Sequence, residues 1–234
     1  MENKINCGNC GTSNSFYKLN CSKCNAVIRN RVVNIDLWQI LWQLVEAPTS
    51  AFTKIVQAEN KNFAITLVLL AGIKLFLHTF FLNSLFYSGN GFGNHIPTNV
   101  LLFLGYFLIF IFLFAFTIWR LNKKLGNEGR YKDHYSIIIF SLIPFVLSLA
   151  FLTPVEYALY GGHWFLSNPS PFAIKPMAAY VLVGLEILIT LWSILLLTLG
   201  IQLQTNKRSS SIYSAFLFFI GIAVIIFLLP YFPF

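Results

Sequence analysis

The sequence predicts an all-α polytopic membrane protein with five transmembrane helices, set behind a small cysteine-bearing module and an amphipathic connector. Three observations carry that prediction. Hydrophobic residues make up 57% of the 234 residues and charged residues 10%, against about 25% charged in a soluble domain. Apolar runs fall at about 63–82, 100–119, 135–153, 177–203 and 212–229. Each approaches the ~20 residues that cross ~30 Å of hydrocarbon at 1.5 Å per residue. The flanking cations are lopsided. Of the 16 Lys and Arg residues, all but Lys74 and Lys175 precede the first run or lie between the second and third or the fourth and fifth. Basic loops stay cytoplasmic. An integral, multi-pass protein is therefore expected, with its N-terminus cytoplasmic and its C-terminus outside. The net charge of +8 reflects this bias and attraction to anionic headgroups, so nucleic acid is not an expected partner. Residues 1–30 have no apolar h-region, and the first apolar run is expected to act as the signal anchor.

Residues 1–30 form the first expected domain. All 4 cysteines lie there, as Cys7-Gly-Asn-Cys10 and Cys21-Ser-Lys-Cys24. Two C-x2-C pairs supply the four thiolates of a tetrahedral zinc site, with bonds of ~2.3 Å. Gly8 and Gly11 suit the tight turns such a ribbon needs, and Phe16, Tyr17 and Leu19 are available as a miniature core. The alternatives are two disulfides, four buried cysteines or a redox pair. A reducing cytoplasm argues against disulfides, and no βαβ pattern surrounds the pairs. A closed four-sulfur shell has no open position, so the zinc is expected to be structural rather than catalytic.

Residues 31–62 are the expected amphipathic juxtamembrane segment. Asp36 can cap a helix that Gln39 reaches back to. Trp38 and Trp42 share a stripe with Ile35, Leu41 and Val45, and Glu46 and Pro48 end it. A second short helix places Phe52, Ile55 and Val56 on one side and Lys54, Gln57 and Glu59 on the other. The tryptophan stripe reads equally as an interfacial helix or as packing on the ends of the spans.

Residues 63–234 form the expected membrane domain. Charged groups inside spans cost ~2.5–3.5 kcal/mol each at the centre, and two stand out: Lys74 in the first span and Glu186 in the fourth. Counted from the outer ends, both lie roughly 12–14 Å deep. Opposite charges at matching depth are expected to face inward and pair, with His78 one turn above Lys74. The pair reads as a structural tie between two helices, as a polar site for an ion or small substrate, or as a lysine snorkelling outward. Pro144 is expected to kink the third span, with Ser148 beyond it. Gly105, Gly184, Gly200 and Gly221 are candidate close approaches between helices. The outer segments Phe86–Gly93 and Tyr160–Trp164 read as interfacial belts and turns, and His95 and His163 as surface residues. Glu128, Asp133 and Glu156 are scattered. No catalytic signature is present, so an enzyme is not expected.

Two stretches carry a resemblance. One is Glu46-Ala47-Pro48-Thr49-Ser50-Ala51-Phe52-Thr53-Lys54-Ile55. The other is Lys124-Leu125-Gly126-Asn127-Glu128-Gly129-Arg130-Tyr131-Lys132-Asp133, leading through Tyr135 to Ser141-Leu142-Ile143-Pro144. Both resemble the Yip-domain family of Ypt/Rab-interacting membrane proteins and their bacterial relatives, over about residues 46–229. The resemblance implies five spans, a cytoplasmic N-terminus, protein partners and no catalytic residues. Bacterial members that carry a short zinc ribbon fit Cys7–Cys24, which implies a bacterial inner membrane. The expected function is a non-enzymatic membrane adaptor or scaffold. The ribbon and the basic segment Arg120–Lys132 would dock a cytosolic protein, with association into homo- or hetero-oligomers. The alternative is a small permease or transporter subunit whose polar site is Lys74, His78 and Glu186.

Overall fold

A cap, a proline and a change of periodicity set the first helices. Asp36 has extended backbone, and its side chain accepts a hydrogen bond from the Gln39 amide, which satisfies one of the free donors of a helix start. That helix, α1 (Leu37–Glu46), stops at Ala47, and α2 (Pro48–Gln57) begins with proline in its first turn, where the missing N–H costs nothing. A computed structural model describes residues 4–15, 18–29, 34–86, 96–124, 129–165 and 169–228. The Gly89–Gly93 cluster, His95, Phe16 and Tyr17 lie outside them.

Strands β1 (Lys4–Asn6) and β2 (Ser13–Ser15) pair antiparallel, with Ile5 opposite Asn14. The remaining elements are α3 (Ala64–Phe86), α4 (Ile96–Lys124), α5 (Tyr131–Ser141), α6 (Ile143–Leu147), α7 (Thr153–Tyr160), α8 (Pro171–Ile174), α9 (Pro176–Thr205) and α10 (Arg208–Leu228). Five stretches are long and apolar enough to cross a membrane: Ala64–Leu82, Asn99–Lys124, Tyr131–Phe165, Pro176–Thr205 and Arg208–Phe227. The chain is thus a multi-pass membrane protein. Large apolar side chains on α4, α9 and α10, such as Phe112, Leu113, Leu188, Leu195 and Leu217, are exposed. In a bilayer that surface faces acyl chains.

The core lies between α2, α3, α4, α5, α6, α9 and α10, with α1 packed on it. Phe52, Ile55, Ile137, Phe140 and Leu197 are fully buried in it. The two short helices divide their work by face. Ile40 and Leu44 are buried, whereas Trp38 and Trp42 are 80% and 66% exposed and Val45 is exposed with them. Trp38, Trp42 and Val45 point away from the bundle, since residues two apart on a helix lie on opposite sides, while Ile35 and Leu41 of the same expected stripe pack on the core. Trp38 and Trp42 therefore do not pack on the spans. Of the candidate glycines, Gly200 and Gly221 do sit at close approaches. A Cβ on Gly200 would lie 2.5 Å from Ile137 Cγ2, and one on Gly221 would overlap the Phe110 ring. Gly105 and Gly184 face open space, while Gly72, not singled out from sequence, meets Leu104 and Phe107.

The third span is the irregular one. Its helix breaks at Leu142, and Pro144 falls in the first turn of α6 rather than kinking a continuous helix. A π-helical turn, Ser148–Leu152, follows and runs without a break into α7, whose first turn holds Pro154. The helical path thus runs past the apolar stretch 135–153 to Tyr160. Tyr160 and Trp164 are buried with Phe81, Ala179 and Leu182, not spread along an interface. The Tyr160 hydroxyl donates to the Lys175 carbonyl at 2.7 Å.

Candidate functional sites

The cysteine pairs build two matching turns. Gly11 N donates to Cys7 O at 2.9 Å and Asn25 N to Cys21 O at 3.1 Å, while Cys7 N and Cys21 N donate to Thr12 O and Ala26 O. The residue after each pair needs a positive φ. Gly11 takes +68°, as its missing Cβ allows, and Asn25 takes +57°. Asparagine tolerates that region better than most residues. Gly8, the other expected turn glycine, is not among the positive-φ residues. Leu19 is exposed rather than part of a miniature core, and Asn14 is buried instead. Its side chain donates to Cys21 Sγ at 3.4 Å and accepts from Ser22 N and Oγ.

Cys7, Cys10, Cys21 and Cys24 are all free thiols, and their sulfurs all lie within 4.8 Å of one another. Cys7 Sγ is 3.6 Å from Cys24 Sγ, and Cys10 Sγ is 3.5 Å from Cys21 Sγ. Sulfurs around a tetrahedral zinc with ~2.3 Å bonds stand about 3.8 Å apart, so the donor set and its spacing fit a metal ion. Electrostatics divides the thiols. Backbone N–H groups of Cys24 and Lys23, with Asn14, pull the Cys21 thiol down to about 6. The Ala26 N–H favours a Cys24 thiolate, but the crowding by Cys10, Cys7 and Cys21 outweighs it and pushes that thiol up to about 12. Four thiolates at this spacing require a cation among them.

A second cluster lies inside the bundle. Lys74 on α3 is 1% exposed, and its Nζ sits 2.5 Å from Glu186 Oε1 on α9 and 3.3 Å from Glu156 Oε2 on α7. It also donates to Thr153 Oγ1 at 2.8 Å. His78 Nε2 is 3.1 Å from Glu186 Oε2, and Ser148 Oγ donates to Glu186 Oε1 at 2.9 Å. The structure thus brings Lys74, His78 and Glu186 together and adds Ser148, Thr153 and Glu156. The π-turn and the first turn of α7 supply those additions. Glu156 is 1% exposed, and its Oε1 has no hydrogen-bond partner. A cavity of about 340 Å³ adjoins the cluster, with Glu156, Glu186 and His78 in a lining that is otherwise mostly apolar.

A third cluster sits where α2 meets the start of α5. Lys61 Nζ is 3.0 Å from Asp133 Oδ1. Arg130 grips the same carboxylate with Nε and Nη2, both at 3.2 Å. Lys61 also donates to the carbonyls of Ile55 and Val56, and Arg130 to those of Val56 and Ala58. These are the free acceptors at the end of α2, where cations are favoured by the helix dipole. Burial pushes the Lys61 ammonium down, and Asp133 pulls it partly back. His134 is held between Asn122 and the Arg130 carbonyl. Part of the basic segment Arg120–Lys132 is therefore spent inside the protein, through Arg130. Leu125–Glu128 lie outside the described residues.

The family model of the Yip1 domain matches residues 42–229. No curated protein and no solved structure matches the chain.

Proposed function

The chain belongs to the Yip1 domain family, and from that premise we propose that it is a non-enzymatic membrane adaptor whose cysteine module is a structural zinc ribbon. The observation that carries the reading is the four-sulfur cluster of Cys7, Cys10, Cys21 and Cys24. It stands at the end of the chain, ahead of a helix pair and the membrane bundle. A closed shell of four thiolates rigidifies a small module and offers no site for chemistry. The flanking charge supports a cytoplasmic N-terminus and an outer C-terminus; the resemblance to ribbon-bearing bacterial members is what suggests a bacterial inner membrane. The ribbon and the remaining basic residues of the segment, Arg120, Lys123, Lys124 and Lys132, then form the surface for a protein partner. The domains in this reading are the ribbon over 1–30, the juxtamembrane helices over 31–62 and the membrane domain over 63–234.

Two measurements test it. Elemental analysis of purified protein should find about one zinc per chain, and the Cys21→Ser/Cys24→Ser double variant should lose it. Affinity purification in mild detergent should recover a soluble protein with the parent chain and not with the double variant. Zinc retained by the variant, or an unchanged set of co-purifying proteins, would sink the reading. The cavity beside Glu156 and Glu186 favours one alternative, a small permease or transporter subunit that uses Lys74, His78 and Glu186 as its polar site.

A further inference from the structure

Three kinds of surface meet on α1. At about 100° per residue, its side chains fall into three arcs. Ile40 and Leu44, with Leu37 beside them, form the buried arc and share the core with the spans. Glu46, Gln39 and Gln43 form a polar arc, with Glu46 and Gln39 exposed. Trp38, Trp42 and Val45 form the third, within about 60° of one another, and all three are exposed. No charged residue stands between Asp36 and Glu46. A helix between a protein core and water has two surfaces, one apolar and one polar. The third arc calls for a third medium, apolar and outside the protein.

The level of α1 in the bundle identifies that medium. α1 packs on α2, and α2 lies across the ends of α5 and α9. A Cβ on Gly200 would stand 3.3 Å from Phe52 Cε1. Gly200 is about 7.5 Å along the helix from the end of α9 at Thr205. Arg130, which precedes α5, donates to the Val56 and Ala58 carbonyls at the end of α2. That end of the bundle carries Lys123, Lys124, Lys132, Lys207 and Arg208, and basic residues flank apolar spans at headgroup level. α1 is therefore held at the membrane boundary, where the lipid-facing surface of the spans ends and headgroups begin.

We propose that α1 lies in the headgroup–acyl boundary of the bilayer, with Trp38, Trp42 and Val45 inserted among the lipids and Gln39 and Glu46 turned to water. Tryptophan suits that level because its ring is apolar while its indole N–H still finds an acceptor among lipid oxygens. The inserted arc is uncharged, and Asp36 and Glu46 at the two ends of α1 would be repelled by anionic headgroups. The occupant is therefore the bilayer interface itself, zwitterionic lipid included, held by burial of apolar area rather than by charge. One consequence is positional. The chain from Arg29 to Leu37 reaches no further than about 30 Å when fully extended, so the cysteine module is kept close to the headgroups. The inference does not depend on a metal among the cysteines, and loss of that metal would leave α1 in place.

The test is tryptophan fluorescence of the full chain in nanodiscs of phosphatidylcholine, with no charged lipid present. The emission of Trp38 and Trp42 is the difference between the parent and Trp38→Phe/Trp42→Phe, which cancels Trp119, Trp164 and Trp192. Both side chains are exposed, so folding does not depend on them, and the two single variants read each tryptophan alone. In phosphatidylcholine brominated at carbons 6 and 7 of one chain, that difference should fall by about half or more, as for rings buried about 5–10 Å into the boundary. Lipid brominated at carbons 11 and 12 should quench it less, and aqueous iodide should quench it least. Quenching by iodide with no response to either brominated lipid would overturn the proposal and place the arc in water. Emission indifferent to all three would overturn it too, and would mean that a protein surface, such as a second copy of this chain, covers the arc. Stronger quenching by the deeper bromines would overturn it as well, because the arc would then lie inside the hydrocarbon rather than at its boundary.

Discussion

The two charged clusters behind the membrane-facing surface are built from the same chemistry and end in opposite states. At the start of α5, one carboxylate, Asp133, meets two cations, Lys61 and Arg130. The extra positive charge is absorbed by the carbonyls that end α2. Inside the bundle, two carboxylates meet Lys74, with His78 against Glu186, and one oxygen of Glu156 finds no hydrogen-bond donor. The difference teaches where a surplus charge is tolerable. A helix C-terminus offers free acceptors to spare cations. A carboxylate in mid-span finds no free N–H groups, because every amide of a continuing helix is already spent. The first cluster is complete and fastens α2 to α5. The second fastens α3, α7 and α9 and keeps one unsatisfied oxygen fully buried.

Substitutions can break or sharpen that contrast. Lys74→Met should do the most damage. It leaves Glu156 and Glu186 facing each other without their shared ammonium, and breaking such a buried arrangement costs about 3–5 kcal/mol. Thermal unfolding in detergent, followed by circular dichroism, should show the largest loss in this variant. Asp133→Asn should cost less, about 2–3 kcal/mol, because Lys61 and Arg130 keep their carbonyl partners. Gly200→Ala, at the contact between α9 and α5 but carrying no charge, should cost about 1–3 kcal/mol from overpacking against Ile137. The matching Gly105→Ala should be neutral, since nothing stands near its Cβ position. Glu156→Gln should have the smallest effect of the charged-site variants, within about 1 kcal/mol of the parent, because it removes a buried carboxylate with one oxygen lacking a donor and leaves the Lys74–Glu186 pair intact.

Much of this architecture is legible in the chain. Five apolar runs identify the spans because the bilayer enforces a length and a composition. Counting 1.5 Å per residue from the outer ends brings Lys74 to the depth of Glu186, and the two do meet. The C-x2-C pairs identify the sulfur cluster, and Gly11 its turn. Glu156 was not legible in the same way. Hydropathy falls after residue 153 and Pro154 interrupts the pattern, whereas the π-turn just before it lets the helix run on past a residue with no N–H. The one signal was polar spacing. Ser148 and Glu156 stand about two turns apart, on one face, if the helix continues. The Asp133 cluster was missed because a basic segment was read by its net charge, although Arg130 and Asp133 stand at the i, i+3 spacing of a local ion pair. The orientation of the tryptophans needed the structure, since Ile40 and Leu44 compete with Trp38 and Trp42 for the core and only packing decides between opposite faces.

The account turns on one oxygen of Glu156 that the protein's own side chains leave without a hydrogen-bond donor. Unfolding free energies of Glu156→Gln and Asp133→Asn, measured side by side in the same detergent, test that most directly. The predicted result is a near-parental value for Glu156→Gln beside a clear loss for Asp133→Asn. Equal losses would contradict it, because they would mean that Glu156 is as firmly satisfied in its place as Asp133 is.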